Sequence, residues 1–125
     1  MKTVIQTQSF IASARDAGLS EALQAFIVET IADDPMMGDL MAGTGGCRKS
    51  RWAGRGKGKR GGYRTVHYNG SDDVPVLLLL AIDKGEKDNL SQSERNELRK
   101  LMQTYEEEYR AGVAAKVAQI ERGGR

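Results

Sequence analysis

Several residue types are scarce in this chain of 125 residues. It has one cysteine, Cys47, and one histidine, His67, so an internal disulfide is excluded and a dedicated zinc site is not expected. The longest apolar run, 76–82, has seven residues, far fewer than the roughly 20 that span a bilayer. No apolar stretch follows Met1-Lys2, so no signal peptide is expected. These absences favour one cytoplasmic domain with no metal, no cofactor and no membrane segment.

Acidic residues are absent from Leu40 to Ser71, and this gap coincides with a basic block. The block, residues 43–68, holds eight of the nineteen Lys and Arg residues and eight of the fifteen glycines. The formal charges of residues 1–41, 42–71 and 72–125 are −4, +8 and −2. Because clustered cations repel one another unless an anion is bound, the block predicts a polyanionic partner. The alternative is a flexible basic loop that only aids solubility, but Trp52, Tyr63, Val66 and Tyr68 are interleaved and favour strands anchored in a core.

The hydrophobic pattern predicts an α+β domain in the order β-α-α-β-β-β-α, with helices packed on a mostly antiparallel sheet. Residues 36–46 are predicted to be an irregular connection. The run 76–82 does not alternate and is predicted to be a central strand covered on both faces. The predicted strands are 3–7, 47–53, 62–69 and 76–82, and the predicted helices begin near Ser9, at Ser20 and at the Ser91–Glu94 capping box.

Individual side chains in these elements carry further expectations. Cys47, Trp52 and Tyr68 are predicted to pack in the core, with base stacking as the alternative for Trp52. The last helix is predicted to bury Leu98, Leu101, Met102, Tyr105 and Tyr109. Residues 106–108 are predicted to be a solvated acidic face, with mimicry of phosphate against the basic block as the alternative.

Four segments together resemble the RelE/HigB family of toxin–antitoxin ribonucleases, and the HigB-like branch is the closer match. They are GTGGCRKSRW (43–52), GKGKRGGYR (56–64), LLLL (77–80) and KGEKDNLS (84–91). The resemblance covers about residues 2–104, so 1–104 is interpreted as the toxin domain and 105–125 as a C-terminal helical extension. It implies a RelE-like, microbial-ribonuclease-like fold and a cytoplasmic toxin that cuts messenger RNA on the ribosome. It also implies a cognate antitoxin, commonly one with a helix-turn-helix DNA-binding domain.

The resemblance also implies which residues act. The family's catalytic cations fall by position on Lys49, Arg51, Arg64 and Lys84. Such an enzyme uses the ribose 2′-hydroxyl to attack the adjacent phosphate, so guanidinium groups would stabilise the phosphate and a lysine would transfer protons. His67, which stands where the family usually has an aromatic residue, is a further catalytic candidate, with a packed or hydrogen-bonded strand residue as the alternative. The predicted RNA-binding residues are Arg48, Arg55, Lys57, Lys59, Arg60 and Lys87.

Two other functions fit the same residues. One is a ParE-like toxin that inhibits gyrase and cuts nothing. The other is a non-catalytic module that binds RNA or the ribosome, which is favoured by Gly85 and Ser91 standing where RelE has an arginine and a catalytic tyrosine.

Overall fold

The computed structural model describes residues 1–53, 62–83 and 90–123. Five strands form one sheet in the order β1-β5-β4-β3-β2, in which β1 is parallel to β5 and the other neighbours are antiparallel. The α+β class and the mostly antiparallel sheet are as predicted. The order differs by one element, because the connection after the second helix contains a two-residue strand that pairs with β3. The elements are β1 (Val4–Gln6), α1 (Gln8–Ala17), α2 (Glu21–Asp33), β2 (Asp39–Leu40), β3 (Cys47–Trp52), β4 (Tyr63–Tyr68), β5 (Val76–Ile82) and α3 (Gln92–Gly123).

The helix ends follow from residues that satisfy free backbone groups. The side chain of Ser20 accepts a hydrogen bond from the amide of Leu23 and begins α2. Gly18 ends α1 in the left-handed conformation, at a φ of 78°. The predicted capping box is confirmed: Ser91 Oγ accepts from the Glu94 amide at 3.1 Å, and the Glu94 carboxylate accepts from the Ser91 amide at 2.9 Å.

Two apolar clusters lie on opposite faces of the sheet. On one face, α1 and α2 contribute Phe10, Ile27 and Ile31 to a cluster that also contains Trp52. On the other face, Met102 of α3 packs with Cys47, Val66, Tyr68, Leu77 and Ile82. We call these the α1/α2 face and the α3 face. Strand β5 supplies side chains to both clusters, as predicted, although Leu79 and Leu80 are only half-buried.

Trp52 and Cys47 pack as predicted. The Trp52 side chain is 5% exposed, stacks edge-on against Phe26 with ring centroids 6.0 Å apart, and donates a hydrogen bond to Thr65 Oγ1 at 2.8 Å. Cys47 is fully buried, and burial raises the pKa of its thiol to about 11. A thiol in that state is a filler of the core and not a nucleophile.

A buried carboxylate attaches α3 to the hairpin between β4 and β5. Glu106 accepts hydrogen bonds from the Tyr68 hydroxyl, from the Ser71 amide at 3.1 Å and hydroxyl at 2.8 Å, and from Arg110 at 3.1 Å. Gly70 makes this approach possible, because a Cβ there would collide with the Glu106 carboxylate and the Tyr68 ring. The expectation of a solvated 106–108 face is therefore wrong for Glu106, although Glu107 and Glu108 are exposed.

The expected burial of α3 also needs one correction. Met102 is buried, and Leu98, Tyr105 and Tyr109 are half-buried, but Leu101 is 61% exposed. Met102 and Glu106 are on the side of α3 that faces the sheet. Leu101 is on the flank of the helix and is therefore exposed.

We predict that Glu106→Ala lowers the free energy of unfolding by about 2–3 kcal/mol, because several donors lose a buried charged acceptor. Urea denaturation measures the change. Glu107→Ala, which removes the adjacent exposed carboxylate, is the matched control and is expected to change stability by less than about 0.5 kcal/mol. Equal effects of the two substitutions would contradict the role assigned to Glu106.

Candidate nucleic-acid interface

The alternation of β3 separates the first part of the basic block onto the two faces of the sheet. Successive side chains of a strand point to opposite faces. Trp52 packs on the α1/α2 face, which places Ser50 and Arg48 on that face too. Cys47 packs on the α3 face, which places Lys49 and Arg51 there.

Strand β4 brings a third cation to the α3 face. Arg51 pairs directly with Arg64, and Lys49 pairs with Val66, which belongs to the α3-face cluster. Directly paired residues of antiparallel strands have Cβ atoms about 4.5–5.5 Å apart and share a face. We call Lys49, Arg51 and Arg64 the cation triad.

The cation triad concentrates the positive charge that an anion-binding site needs. Arg51 is exposed, whereas Lys49 and Arg64 are half-buried. Like charges placed directly opposite one another on a ladder repel. A bound phosphate would relieve the repulsion between Arg51 and Arg64, and guanidinium groups can hold a phosphate through two hydrogen bonds.

Arg48, predicted to bind RNA, is on the opposite face. Its guanidinium donates hydrogen bonds to the backbone oxygens of Met36 at 2.7 Å and Gly38 at 3.2 Å. Gly38 lies close over Ser50 and the backbone of Lys49, so Arg48 holds the α2–β2 connection against β3. Period-two alternation thus separates Arg48 from Lys49 and Arg51, and RNA binding by Arg48 stays a prediction.

His67, predicted as a catalytic candidate, is fully buried on the α1/α2 face. Its Nε2 donates to the Pro35 carbonyl at 2.8 Å, which leaves Nδ1 as an acceptor. Burial lowers the pKa of the imidazole; the positive charge of Arg48 lowers it further, whereas the Pro35 carbonyl and Asp34 oppose the shift. A fully buried neutral imidazole cannot contact RNA, so His67 is a structural residue that supports the connection after α2.

The remaining predicted site residues, Arg55, Lys57, Lys59, Arg60, Lys84 and Lys87, lie outside the described residues. Arg64 pairs with Ile82, and Lys84 follows Ile82 by two residues in the sequence.

A groove that the sequence did not predict borders the cation triad. It has a volume of about 600 Å³ and is lined by residues of α1, β5 and α3. Val66 and Ile82 line it, and these are the ladder partners of Lys49 and Arg64. The sequence pattern predicts burial for apolar lining residues such as Leu98, Leu101 and Met102, so it does not indicate an open groove.

No helix in the described ranges is both long enough and apolar enough to cross a bilayer. In the same ranges, no three His, Cys, Asp or Glu side chains lie close enough together to hold a metal ion.

The family model described as "RelE toxin of RelE / RelB toxin-antitoxin system" matches residues 2–121. The match covers nearly the whole chain, and the observed α+β fold agrees with it. The chain therefore belongs to the RelE toxin family. It is the toxin of a toxin–antitoxin system, and membership implies a cognate antitoxin as its partner.

We predict that His67 makes folding stability depend on pH. The folded state keeps its imidazole neutral to a lower pH than the unfolded chain, in which the pKa is about 6.5. The contribution of His67 to the free energy of unfolding is therefore fully present above the pKa of the unfolded chain. It is lost as the pH falls from there toward the lower pKa of the folded state.

Urea denaturation at pH 7.5 and pH 5.5 tests this expectation. Wild type is expected to lose more stability between the two pH values than His67→Gln, whose amide can still donate to the Pro35 carbonyl. An equal loss in both proteins would contradict it.

Proposed function

We propose that this toxin is a HigB-like endoribonuclease that cleaves messenger RNA on the ribosome in the cytoplasm and thereby stops translation. The observation that supports it best is that Lys49, Arg51 and Arg64 share one face of the sheet, with Arg51 directly opposite Arg64. The matched family and the GTGG and GGYR segments of the sequence support the same function.

The proposed reaction needs no metal or cofactor. The ribose 2′-hydroxyl gives up its proton and attacks the adjacent phosphorus; the bond to the 5′-oxygen breaks, and that oxygen takes a proton as it leaves. The products are a 2′,3′-cyclic phosphate and a free 5′-hydroxyl. Arg51 and Arg64 stabilise the charge on the phosphoryl oxygens, and Lys49 or Lys84 transfers the protons.

The other predicted groups have supporting roles in this proposal. Arg55, Lys57, Lys59, Arg60 and Lys87 hold the phosphates of messenger or ribosomal RNA. The antitoxin, proposed to carry a helix-turn-helix DNA-binding domain, keeps the toxin inactive until it is removed. Within the C-terminal extension proposed for 105–125, residues 105–123 belong to the long helix α3.

Mapping the 5′ ends of cellular transcripts after induction of the toxin tests the proposed function. New ends within codons are expected. A DNA-damage response without cleavage would instead indicate a gyrase inhibitor, and the absence of both effects would indicate a non-catalytic RNA- or ribosome-binding module.

We predict that Arg64→Ala and Arg51→Ala each reduce cleavage by about 10²–10³-fold, because each removes a donor that stabilises the charge of the transition state. The measurement is the rate of accumulation of new 5′ ends. Lys116→Ala removes an exposed cation of α3 outside the triad and is expected to leave cleavage unchanged. Normal cleavage by a folded Arg64→Ala variant would refute the assignment.

A further inference from the structure

Helix α3 continues well beyond the sheet on which it packs. Arg110, which donates two hydrogen bonds to Asp73 at 2.8 Å, is the last residue of α3 with a hydrogen bond to another element of the described structure. Residues 111–123 are exposed apart from a half-buried Ala118, and they extend about 20 Å along the helix axis. We call 111–123 the distal segment.

The large apolar residues of the distal segment lie on one face. Val113, Val117 and Ile120 are 45%, 48% and 63% exposed, and their spacing places them within about 60° of the helix circumference. We call these three residues the distal stripe. Met102, which is buried against the sheet, and Tyr109 precede them on the same face. The packing face of α3 thus continues past the sheet, and there it is exposed.

The sequence of the distal segment gives its helix limited support. Gly112 and the β-branched residues of the stripe are poorer helix formers than alanine. A Cβ at Gly112 would meet no described residue within 4 Å, so packing within the described structure does not require a glycine there. Helices in proteins gain most of their stability by packing an amphipathic face. A partner that covers the distal stripe would supply that packing.

A second copy of the same segment complements its charges. Arg110 and Glu121 lie on the same flank of the stripe, because eleven residues are close to three helical turns. In an antiparallel pair with two-fold symmetry, each flank faces the same flank of the other copy, so Arg110 approaches Glu121 twice. Arg110 uses Nε and Nη2 for Asp73 and Glu106, and its Nη1 has no acceptor among the described residues. The pairing gives that group a carboxylate partner.

The sheet determines the direction of the pairing. Helices pack with axes about 8–10 Å apart, and α3 contacts the sheet through the same face that carries the distal stripe. A parallel partner helix would therefore occupy space that the sheet fills. An antiparallel partner overlaps only the distal segment and places the two sheets at opposite ends of the helix pair. Val113 of one copy then lies opposite Ile120 of the other, with Val117 near the two-fold axis.

We propose that the toxin forms a symmetric homodimer in which the distal segments of two copies pack antiparallel through Val113, Val117 and Ile120. The contact is small by the standard of stable dimers, and the two Lys116 side chains lie near each other on the second flank. We therefore expect a dissociation constant of about 10 µM.

The proposed contact does not include the groove or the cation triad. The groove has Asp16 on its α1 wall and Glu94 and Glu97 on its α3 wall. Glu97 is about 24 Å from Val113 along the helix axis. The dimer therefore does not rest on the proposed ribonuclease function.

Sedimentation velocity of the full chain between about 1 and 200 µM tests the proposal. The mean mass is expected to rise with concentration from that of one 13.7 kDa chain toward that of two. Val117→Asp is expected to raise the dissociation constant at least about tenfold, because a carboxylate replaces an apolar side chain at the centre of the contact.

Ala115→Asp is the matched control for this measurement. Ala115 is exposed on the opposite side of the helix, so the variant adds the same charge away from the stripe and is expected to dimerise normally. Both positions are exposed, and both variants are expected to keep the fold. A monomer throughout the concentration range, or equal effects of the two variants, would overturn the proposal.

Disulfide trapping tests the direction of the pairing. Val113→Cys and Ile120→Cys variants are mixed and oxidised, and the disulfide that joins the two different variants is expected to dominate. Cys47 is fully buried and does not compete. Disulfides that mainly join two copies of the same variant would indicate a parallel pair and would overturn the proposal.

Flotation with vesicles of phosphatidylcholine and phosphatidylglycerol tests a membrane as the alternative cover of the stripe. The wild-type chain is expected not to float with them. Flotation that Val117→Asp abolishes, together with a monomer in sedimentation, would show that lipid covers the stripe and would overturn the proposal. None of these measurements uses cleavage, so a failure of the proposed ribonuclease function would leave their outcome unchanged.

Discussion

The period-two alternation of β3, fixed by its pairing with β4, is the constraint on which the rest of the site depends. Trp52 is inserted against α1 and α2, and Cys47 is buried under α3, so the side-chain directions of the residues between them are determined. A shift of one residue would exchange the faces. The packing of Trp52 and Cys47 therefore places Arg51 on the same side of the sheet as Arg64 and the groove. It places Arg48 on the opposite side, where Arg48 holds the α2–β2 connection.

The two faces of the sheet consequently differ in character. The α1/α2 face is closed by apolar packing and by neutral hydrogen-bonded groups such as Thr65 and His67. The α3 face is only partly closed, because α3 is held at the hairpin by Glu106 and at its first turn by Arg95, which donates to the Ala42 carbonyl at 2.7 Å. Between those attachments, the cation triad borders an apolar groove with acidic walls. Positive and negative surfaces therefore lie side by side on this face.

Much of the fold was predictable because local signals agreed with the tertiary structure. The caps at Ser20 and Ser91, the left-handed Gly18 and the unalternating β5 each have one physical interpretation. Strand β2 was not predictable, because two residues carry no periodic pattern and its pairing with β3 is long-range.

The site was less predictable than the fold. Charge and the family resemblance suggested the cations of β3 and β4, but they did not indicate that Arg48 would bind backbone oxygens of the α2–β2 connection. Glu106 was misinterpreted because a run of three glutamates is usually solvated, and only Tyr68 and Ser71, distant in sequence, make its burial favourable. The groove forms because β1 ends beside Leu78 and because α3 faces the sheet through Met102 and Glu106. Neither feature has a sequence pattern of its own.

The most direct measurement of the central claim is an NMR titration of the arginine side chains with a short 2′-O-methylated RNA, which binds without being cut. The account predicts that the Nε–H signals of Arg51 and Arg64 shift together, whereas that of Arg48 stays in place. Shifts at Arg48 with none at Arg51 and Arg64 would contradict it, because RNA would then lie on the face of the sheet that the core is expected to close.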